Sequence, residues 1–179
     1  PRTASEIPEM VRKGFYIAET GRPGPVLIDI PKDVQQKEAS MIFPDEFKIR
    51  GYHPWTDPDI MHVERAIDML LSAERPIILA GGGTIISSAF AELQSIAELL
   101  MIPVVTTFKG KGAFPENHPL SLGPIGMHGH AEANKMMTEA DCVLAIGTRF
   151  SDRSVGTFEA FEKRLKIIHM DVDPAEIHK

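Results

Sequence analysis

The sequence predicts an α/β fold built on a doubly wound parallel sheet, with an N-terminal helix and strand that belong to a separate unit. Three observations predict it. Short apolar, β-branched runs recur at 76–80, 103–107, 142–147 and 166–172; helix-spaced stretches separate the first three; and each run opens into a loop rich in glycine, charge or turn-forming residues. Strands that are apolar on both parities suit burial on both faces. Their alternation with helices is the pattern of parallel crossover units, which bind ligands at the carboxyl ends of strands.

Taken in chain order, Ile7, Met10, Val11, Ile17 and Ala18 keep helical spacing, Thr3 or Ser5 can cap, and Gly21 supplies a stop, so 6–20 reads as helix. The run PVLIDI at 25–30 reads as a strand buried on both faces, ended by Pro31. From Lys32 to Thr56 the chain is polar, with Pro44, Gly51 and Pro54 and no sustained period, and a linker is expected over 36–56. The resulting organisation is 1–35, a linker at 36–56, and a second domain over 57–179. Asp57 and Pro58 form a cap and first-turn pair, and Ile60, Val63, Ile67, Leu70 and Leu71 make the apolar stripe of a helix to about 73. Helices at roughly 87–101 and 129–139 complete the pattern.

Composition narrows the function. The 179 residues are 43% hydrophobic and 25% charged, enough for a full core. A net charge of −6 without Lys or Arg runs gives no footprint for nucleic acid or an anionic membrane. No stretch approaches the roughly 20 apolar residues of a membrane span. The single Cys142, inside ADCVLAIG, reads as a small buried thiol in a reducing compartment. The start PRTASEIPEM has neither an initiator Met nor a signal-like region, so the chain is expected to be a piece of a longer one.

The loops carry the chemistry. AGGGT at 80–84 allows close backbone approach to a phosphate or ring, or simply a tight turn. Residues 106–134 read as one long Gly- and Pro-rich loop, and loops beyond about 12–15 residues are usually functional or disordered. Within it, GMHG at 126–129 sets Met127 and His128 between two glycines, with His128 either a surface histidine or a ligand contact. His118, His128 and His130 do not have a zinc spacing. GTRFSDRSVG at 147–156 places Arg149, Asp152 and Arg153 just after a strand, either as a solvated ion-pair cluster or as forks for a diphosphate or carboxylate. HMDVDP at 169–174 offers an acidic residue for ribose hydroxyls, or a turn opening a helix. Together these loops describe a dinucleotide lying across strand ends.

The segment GRPGPVLIDIPKDVQ at 21–35 resembles the end of the first, pyrimidine-binding domain of the acetolactate synthase (acetohydroxyacid synthase) large-subunit family of thiamine-diphosphate enzymes. AGGG, TTFKGKGAFPENHPLSLG, GMHG, GTRFSDR and HMDVDPAEI then resemble, in order, parts of that family's central domain. The resemblance covers nearly the whole chain, and GMHG followed by RFSDR is its most specific part. It implies that 1–35 is the tail of the pyrimidine-binding domain and 57–179 a central domain that binds FAD in an extended pose. The implied flavin contacts are Arg22, Gly81, Gly82, Gly83, Thr107, Phe108, Gly126, Met127, His128, Gly129, Arg149, Arg153, Asp171 and Val172. Lys32, Met127, Asp152 and Arg153 match positions lining the family's substrate and inhibitor channel. Lys109 stands where many members have Met.

The implied activity condenses pyruvate with a second 2-oxo acid, with loss of carbon dioxide, to 2-acetolactate or 2-aceto-2-hydroxybutyrate, in branched-chain amino-acid biosynthesis. The family's catalytic Glu and its magnesium and diphosphate motif match nothing in this chain, so it is assigned no catalytic or metal residue and by itself is expected to be inactive. Thiamine diphosphate and Mg2+ would serve the whole enzyme. Expected partners are the 2-oxo acids, further copies of the catalytic subunit and a small regulatory subunit, without nucleic acid or membrane. The expected compartment is the cytoplasm, or the plastid in a plant. Other readings are the flavin- or nicotinamide-binding module of a pyruvate oxidase, a glyoxylate carboligase or an unrelated dehydrogenase, and a cofactor-free spacer. The missing G-x-G-x-x-G counts against the dehydrogenase.

Overall fold

A computed structural model describes residues 1–40, 42–54, 57–151 and 165–177, and divides into two compact units, Pro1–Asp57 and Pro58–Lys179. In the first, helix α1 spans Ile7–Glu19 with Pro8 in its first turn, where a missing N–H costs nothing. A short helix α2 spans Lys32–Gln35. The stretch read as a linker sends two aromatic rings back to α1: Phe47 and Tyr52 meet Tyr16 edge-on at centroid distances of 5.4 and 6.0 Å. The Tyr52 hydroxyl donates to the Thr20 carbonyl at 2.9 Å.

The strand expected at 25–30 is not formed. The segment has no regular secondary structure and no ladder partner among the described residues, and Leu27 is 93% exposed. Apolar β-branched sequence makes a strand only when a neighbour accepts its backbone hydrogen bonds. The segment instead lies along α1, where a Cβ on the buried Gly14 would stand 2.8 Å from Ile28 Cδ1.

The second unit is a five-stranded, wholly parallel sheet: β1 Pro76–Ala80, β2 Val104–Thr106, β3 Ser121–Pro124, β4 Cys142–Ile146 and β5 Lys166–Met170, in the order β3-β2-β1-β4-β5. The expected doubly wound α/β class is what the chain forms. Helix α3, Ile60–Leu71, precedes β1; α4, Gly82–Ile86, and α5, Phe90–Leu100, join β1 to β2; α6, Ala131–Glu139, joins β3 to β4. Helix α3 begins later than the Asp57-Pro58 pair suggests. Its cap is Asp59, whose side chain accepts the Met61 N–H at 2.9 Å and so satisfies an otherwise orphaned amide.

Period-2 alternation along the strands divides the core between the two faces. Ile78, Ala80, Val104, Cys142, Leu144 and Ile168 face one way, against Leu70 of α3 and Leu93 and Ala97 of α5. Ile77, Leu79, Val105, Val143 and Ala145 face the other, against Ala133 and Met137 of α6. The chain steps outward from β1 with helices on one face, then crosses back past β1 with α6 on the other, as right-handed crossovers require. Cys142 is fully buried, and burial followed by the charge of Asp141 pushes its thiol pKa up, which leaves it an inert packing group.

Strand β3 was not foreseen. SLGP, with a glycine at φ +81° and a proline, lacks the β-branched signature, and only its edge position beside β2 permits it. It divides the expected long loop at 106–134. The pairing shifts register between Val104 and Val105.

At the opposite end of the sheet Asp141 ties three strand entries together. Its carboxylate accepts the N–H groups of Glu74 at 2.8 Å and Arg75 at 2.9 Å, its own N–H donates to the Arg75 carbonyl, and its carbonyl accepts from Lys166. Burial works against its ionisation, but the donated N–H bonds outweigh that and hold the carboxyl below its ordinary pKa. A depressed folded pKa contributes stability that is complete above the unfolded value, about 3.9, and is lost as pH falls through the lower folded value. Asp141→Ala is therefore expected to lower unfolding stability by about 1 kcal/mol at pH 7, the low end for a solvent-accessible charged hydrogen bond. Urea titrations of both proteins at pH 7 and at about pH 3 check this; a difference that does not shrink in acid contradicts it.

Candidate functional site

Because all five strands are parallel, the loops that follow them emerge at one end of the sheet: 81–84 after β1, 107–110 after β2, 126–129 after β3, 147–151 after β4 and 171–173 after β5. The strand order turns back between β1 and β4, the position where open α/β sheets leave a crevice. Gly81, Gly82, Gly83, Thr107, Phe108, Gly126, Met127, His128, Gly129, Arg149, Asp171 and Val172 are thus gathered at one end of one sheet. Arg22 and Lys32, both exposed, belong to the first unit. Asp152 and Arg153 lie outside the described residues.

The three glycines after β1 do not play equivalent parts. Gly81 donates to the Ile146 carbonyl at 2.8 Å and Gly83 to the Gly147 carbonyl at 3.0 Å, so both amides are spent within the protein. A Cβ on Gly81 would lie 2.1 Å from Gly147 O, and one on Gly83 would lie 2.6 Å from Gly147 Cα. These two glycines let the loops after β1 and β4 touch backbone to backbone. Gly147 completes the contact at φ +57°, and Gly110 presses on the Ala80 carbonyl in the same way from the loop after β2. Neither Gly147 nor Gly110 was singled out from the sequence, though Gly147 closes the strand predicted at 142–147 and Gly110 lies three residues beyond the one predicted at 103–107.

After β2, Thr107 is buried and committed. Its N–H donates to the Ala80 carbonyl, and its Oγ1 accepts the Gly110 N–H at 3.0 Å, capping a 3₁₀ turn over Phe108–Gly110. The turn directs Phe108 outward, 82% exposed. GMHG forms a tight turn after β3: Gly129 donates to the Gly126 carbonyl at 3.0 Å, and Gly126 has φ +103°. Met127 and His128 occupy its corners, both exposed, with Met127 at 79%.

Asn134 holds this turn and was missed. From the first turn of α6 its Oδ1 accepts the Gly126 N–H at 2.9 Å while its Nδ2 donates to the Gly126 carbonyl at 3.0 Å. The usable signal was an amide side chain at helical distance from GMHG. The other histidines of the region have separate partners: His118 reaches Glu98 Oε1 at 3.1 Å, and His130 Nδ1 meets the Leu122 carbonyl at 3.2 Å.

On the far side, Arg149 is exposed and makes no ion pair among the described residues, whereas Asp171 is turned inward. Asp171 Oδ1 accepts the Asp173 N–H at 2.9 Å, and Asp173 in turn accepts the Ala175 N–H, so the DVD segment forms a capped turn. Val172, at its crest, is 45% exposed. The sheet end therefore presents large apolar side chains, Phe108, Met127 and Val172, on loops that also carry Arg149 and His128. Such a surface is suited to a flat, partly apolar molecule bearing negative charge.

The family model for the central domain of thiamine pyrophosphate enzymes matches residues 63–179. The chain belongs to this thiamine pyrophosphate enzyme family. Among curated proteins it is 51% identical over 177 residues to a probable acetolactate synthase large subunit of Methanococcus aeolicus, covering 97% of this chain and 30% of that protein. It is 52% identical over 177 residues to the probable acetolactate synthase large subunit of Methanocaldococcus jannaschii, covering the same shares. To the acetolactate synthase large subunit of Corynebacterium glutamicum it is 44% identical over 175 residues, 98% of this chain and 28% of that protein. The chain thus spans about 30% of the length of the curated relatives it matches. No helix among the described residues is long and apolar enough to cross a membrane.

Two substitutions in this thiamine pyrophosphate enzyme domain separate packing from presentation. Gly83→Ala is expected to cost more than about 2 kcal/mol, because backbone rather than a flexible side chain must yield. Asn134→Ala should leave global stability nearly intact while raising amide exchange at Gly126 and Gly129 by about tenfold, the loss of one or two modest hydrogen bonds. Chemical denaturation and residue-resolved exchange measure both, and unaltered exchange at the turn would remove Asn134 from its assigned role.

Proposed function

We propose that this chain is the flavin-carrying central portion of an acetolactate synthase catalytic subunit, preceded by the last helix and closing segment of that subunit's pyrimidine-binding domain. The observation that carries the enzyme class is identity of 44–52% to proteins named acetolactate synthase large subunit, along 97% or more of the chain. The whole enzyme would join pyruvate to a second 2-oxo acid with loss of carbon dioxide, giving 2-acetolactate or 2-aceto-2-hydroxybutyrate for branched-chain amino acids. It would act in the cytoplasm as an oligomer of catalytic subunits, with a small regulatory subunit as a further partner. Thiamine diphosphate, held with Mg2+ by other parts of the whole enzyme, supplies the electron sink for decarboxylation.

The strand-end surface fits FAD in a particular way. The space a Cβ would take at Gly81 and Gly83 is filled by Gly147, so these two glycines bring the loops after β1 and β4 together, and Gly81, Gly82 and Gly83 remain in the proposed set as backbone contacts. Further contact falls to the exposed side chains. Phe108 and Met127, after the neighbouring strands β2 and β3, offer apolar area to one flat ring system, and Val172, after β5 at the other edge, offers it to a second. Arg149 offers a planar fork to a diphosphate, and His128, on the loop after β3, a donor elsewhere along the extended ligand. Thr107 keeps its hydroxyl hydrogen for an acceptor while its oxygen serves Gly110. Arg22, Lys32, Asp152 and Arg153 belong to the same proposed flavin and substrate-channel set. Because the reaction has no net oxidation, the flavin's part is to be bound and to shape the site. The chain's own residues orient and exclude water, and the isolated chain is not expected to form product.

The full-length enzyme is expected to carry flavin absorption in the visible and to form acetolactate from pyruvate. Arg149→Ala should raise the FAD concentration for half-saturation by roughly ten- to a hundredfold, corresponding to about 1.5–3 kcal/mol for a charge-assisted hydrogen bond. Titration of FAD into the apo-enzyme while product is followed gives the value. A change within about twofold, roughly 0.4 kcal/mol, would make Arg149 a solvated surface charge and defeat its assignment.

A further inference from the structure

The loop after β4 contains a conformational outlier held from a neighbouring strand. Phe150 has φ +48°, a left-handed conformation that is uncommon for a bulky side chain and persists only where its surroundings enforce it. Phe150 packs against the core cluster of Ile77, Leu79 and Val143, and it is also met by His169, the fourth residue of β5. Its Nε2 lies 2.8 Å from the Thr148 carbonyl oxygen, and since a carbonyl only accepts, that nitrogen carries the hydrogen. Its ring meets Phe150 edge-on, centroids 5.1 Å apart at 82°. The imidazole is 11% exposed, and Asp171 Oδ2 lies 4.0 Å from the same nitrogen, its other oxygen being held by the Asp173 N–H. His169 therefore grips the loop at residues 148 and 150. The residue between them is Arg149.

We infer that His169 is a positioning residue: by pinning Thr148 and Phe150 it fixes the stretch of backbone from which Arg149 reaches an anionic cofactor, an inference that rests on the flavin reading above. The imidazole need not touch the ligand. Its two functions, a hydrogen-bond donor and a ring, are separable by substitution. Gln places an amide N–H near the position of Nε2, Leu keeps bulk without a donor, and Phe keeps a ring without a donor.

The test uses the full-length enzyme with FAD as the probe. His169→Leu is expected to raise the FAD concentration for half-saturation about tenfold, the weight of one well-placed hydrogen bond. His169→Gln should stay within about threefold of the parent, and the Leu effect should vanish in an Arg149→Ala background. Leu and Gln variants that behave alike, or a Leu effect that persists undiminished over Arg149→Ala, would overturn the inference. If the Leu variant does not fold, His169→Phe takes its place in the same comparison. A parent enzyme that takes up no FAD would sink the flavin reading instead. Amide exchange in the apo-protein then decides on His169: faster exchange at residues 148–151 in Leu than in Gln supports the clamp, and equal exchange overturns it.

Discussion

Two stretches of backbone touch where β1 and β4 end, and this contact governs what the surrounding loops can do. Gly83 and Gly147 approach so closely that a methyl group on either would fall within 2.6 Å of the other's Cα. The approach is held by the amides of Gly81 and Gly83, which donate to the carbonyls of Ile146 and Gly147. It lies at the point where the strand order reverses, with α5 packed on one face of the sheet and α6 on the other. Without it the loops after β1 and β4 would have to diverge, and the sheet end would open into two separate rims. Closing that gap with backbone rather than side chains leaves the side chains of the neighbouring loops available to face outward.

The site thus divides its labour between main chain and side chain. Gly81, Gly83, Thr107 and the carboxylate of Asp171 satisfy partners inside the protein. Phe108, Met127, His128, Arg149 and Val172 are what a ligand would meet. A ligand surface of this kind depends on turns being stiff, since exposed side chains on loose loops would pay a large ordering entropy on binding. Stiffness comes from a second set of residues: Asn134 beneath GMHG, Gly110 and Thr107 beneath Phe108, and His169 beneath Arg149.

What the sequence disclosed and what it hid follow from the range of the interactions involved. Three strands, β1, β2 and β4, were legible because burial on both faces demands an unbroken apolar run, as in PIILA and CVLAI, and that demand is local; β5 was legible from its apolar composition although only Ile168 is buried. β3 was hidden because its pairing is supplied by β2 rather than by its own composition, and residues 25–30 misled for the converse reason, having strand composition and no partner. The loops of the site could be found from their position after strands, but the parts played within them could not. That Gly81 and Gly83 answer to a glycine more than sixty residues later, or that His169 answers to Thr148, is a fact of register between β1, β4 and β5. The supporting residues Asn134 and His169 carry no motif, because a side chain that serves a backbone group is bound only by distance.

The composition of β3 has a consequence for the protein's behaviour in company. A parallel sheet with an open flank is a template on which a foreign extended chain can add itself, hydrogen bond by hydrogen bond. In this protein that flank ends in Pro124, which has no N–H to offer, and passes through Gly123, whose left-handed turn breaks the flat pleat and is roofed by the ring of His130. An incoming strand would find its ladder interrupted after a residue or two. The poor strand sequence that conceals β3 also makes this flank of the sheet a poor template for an added strand.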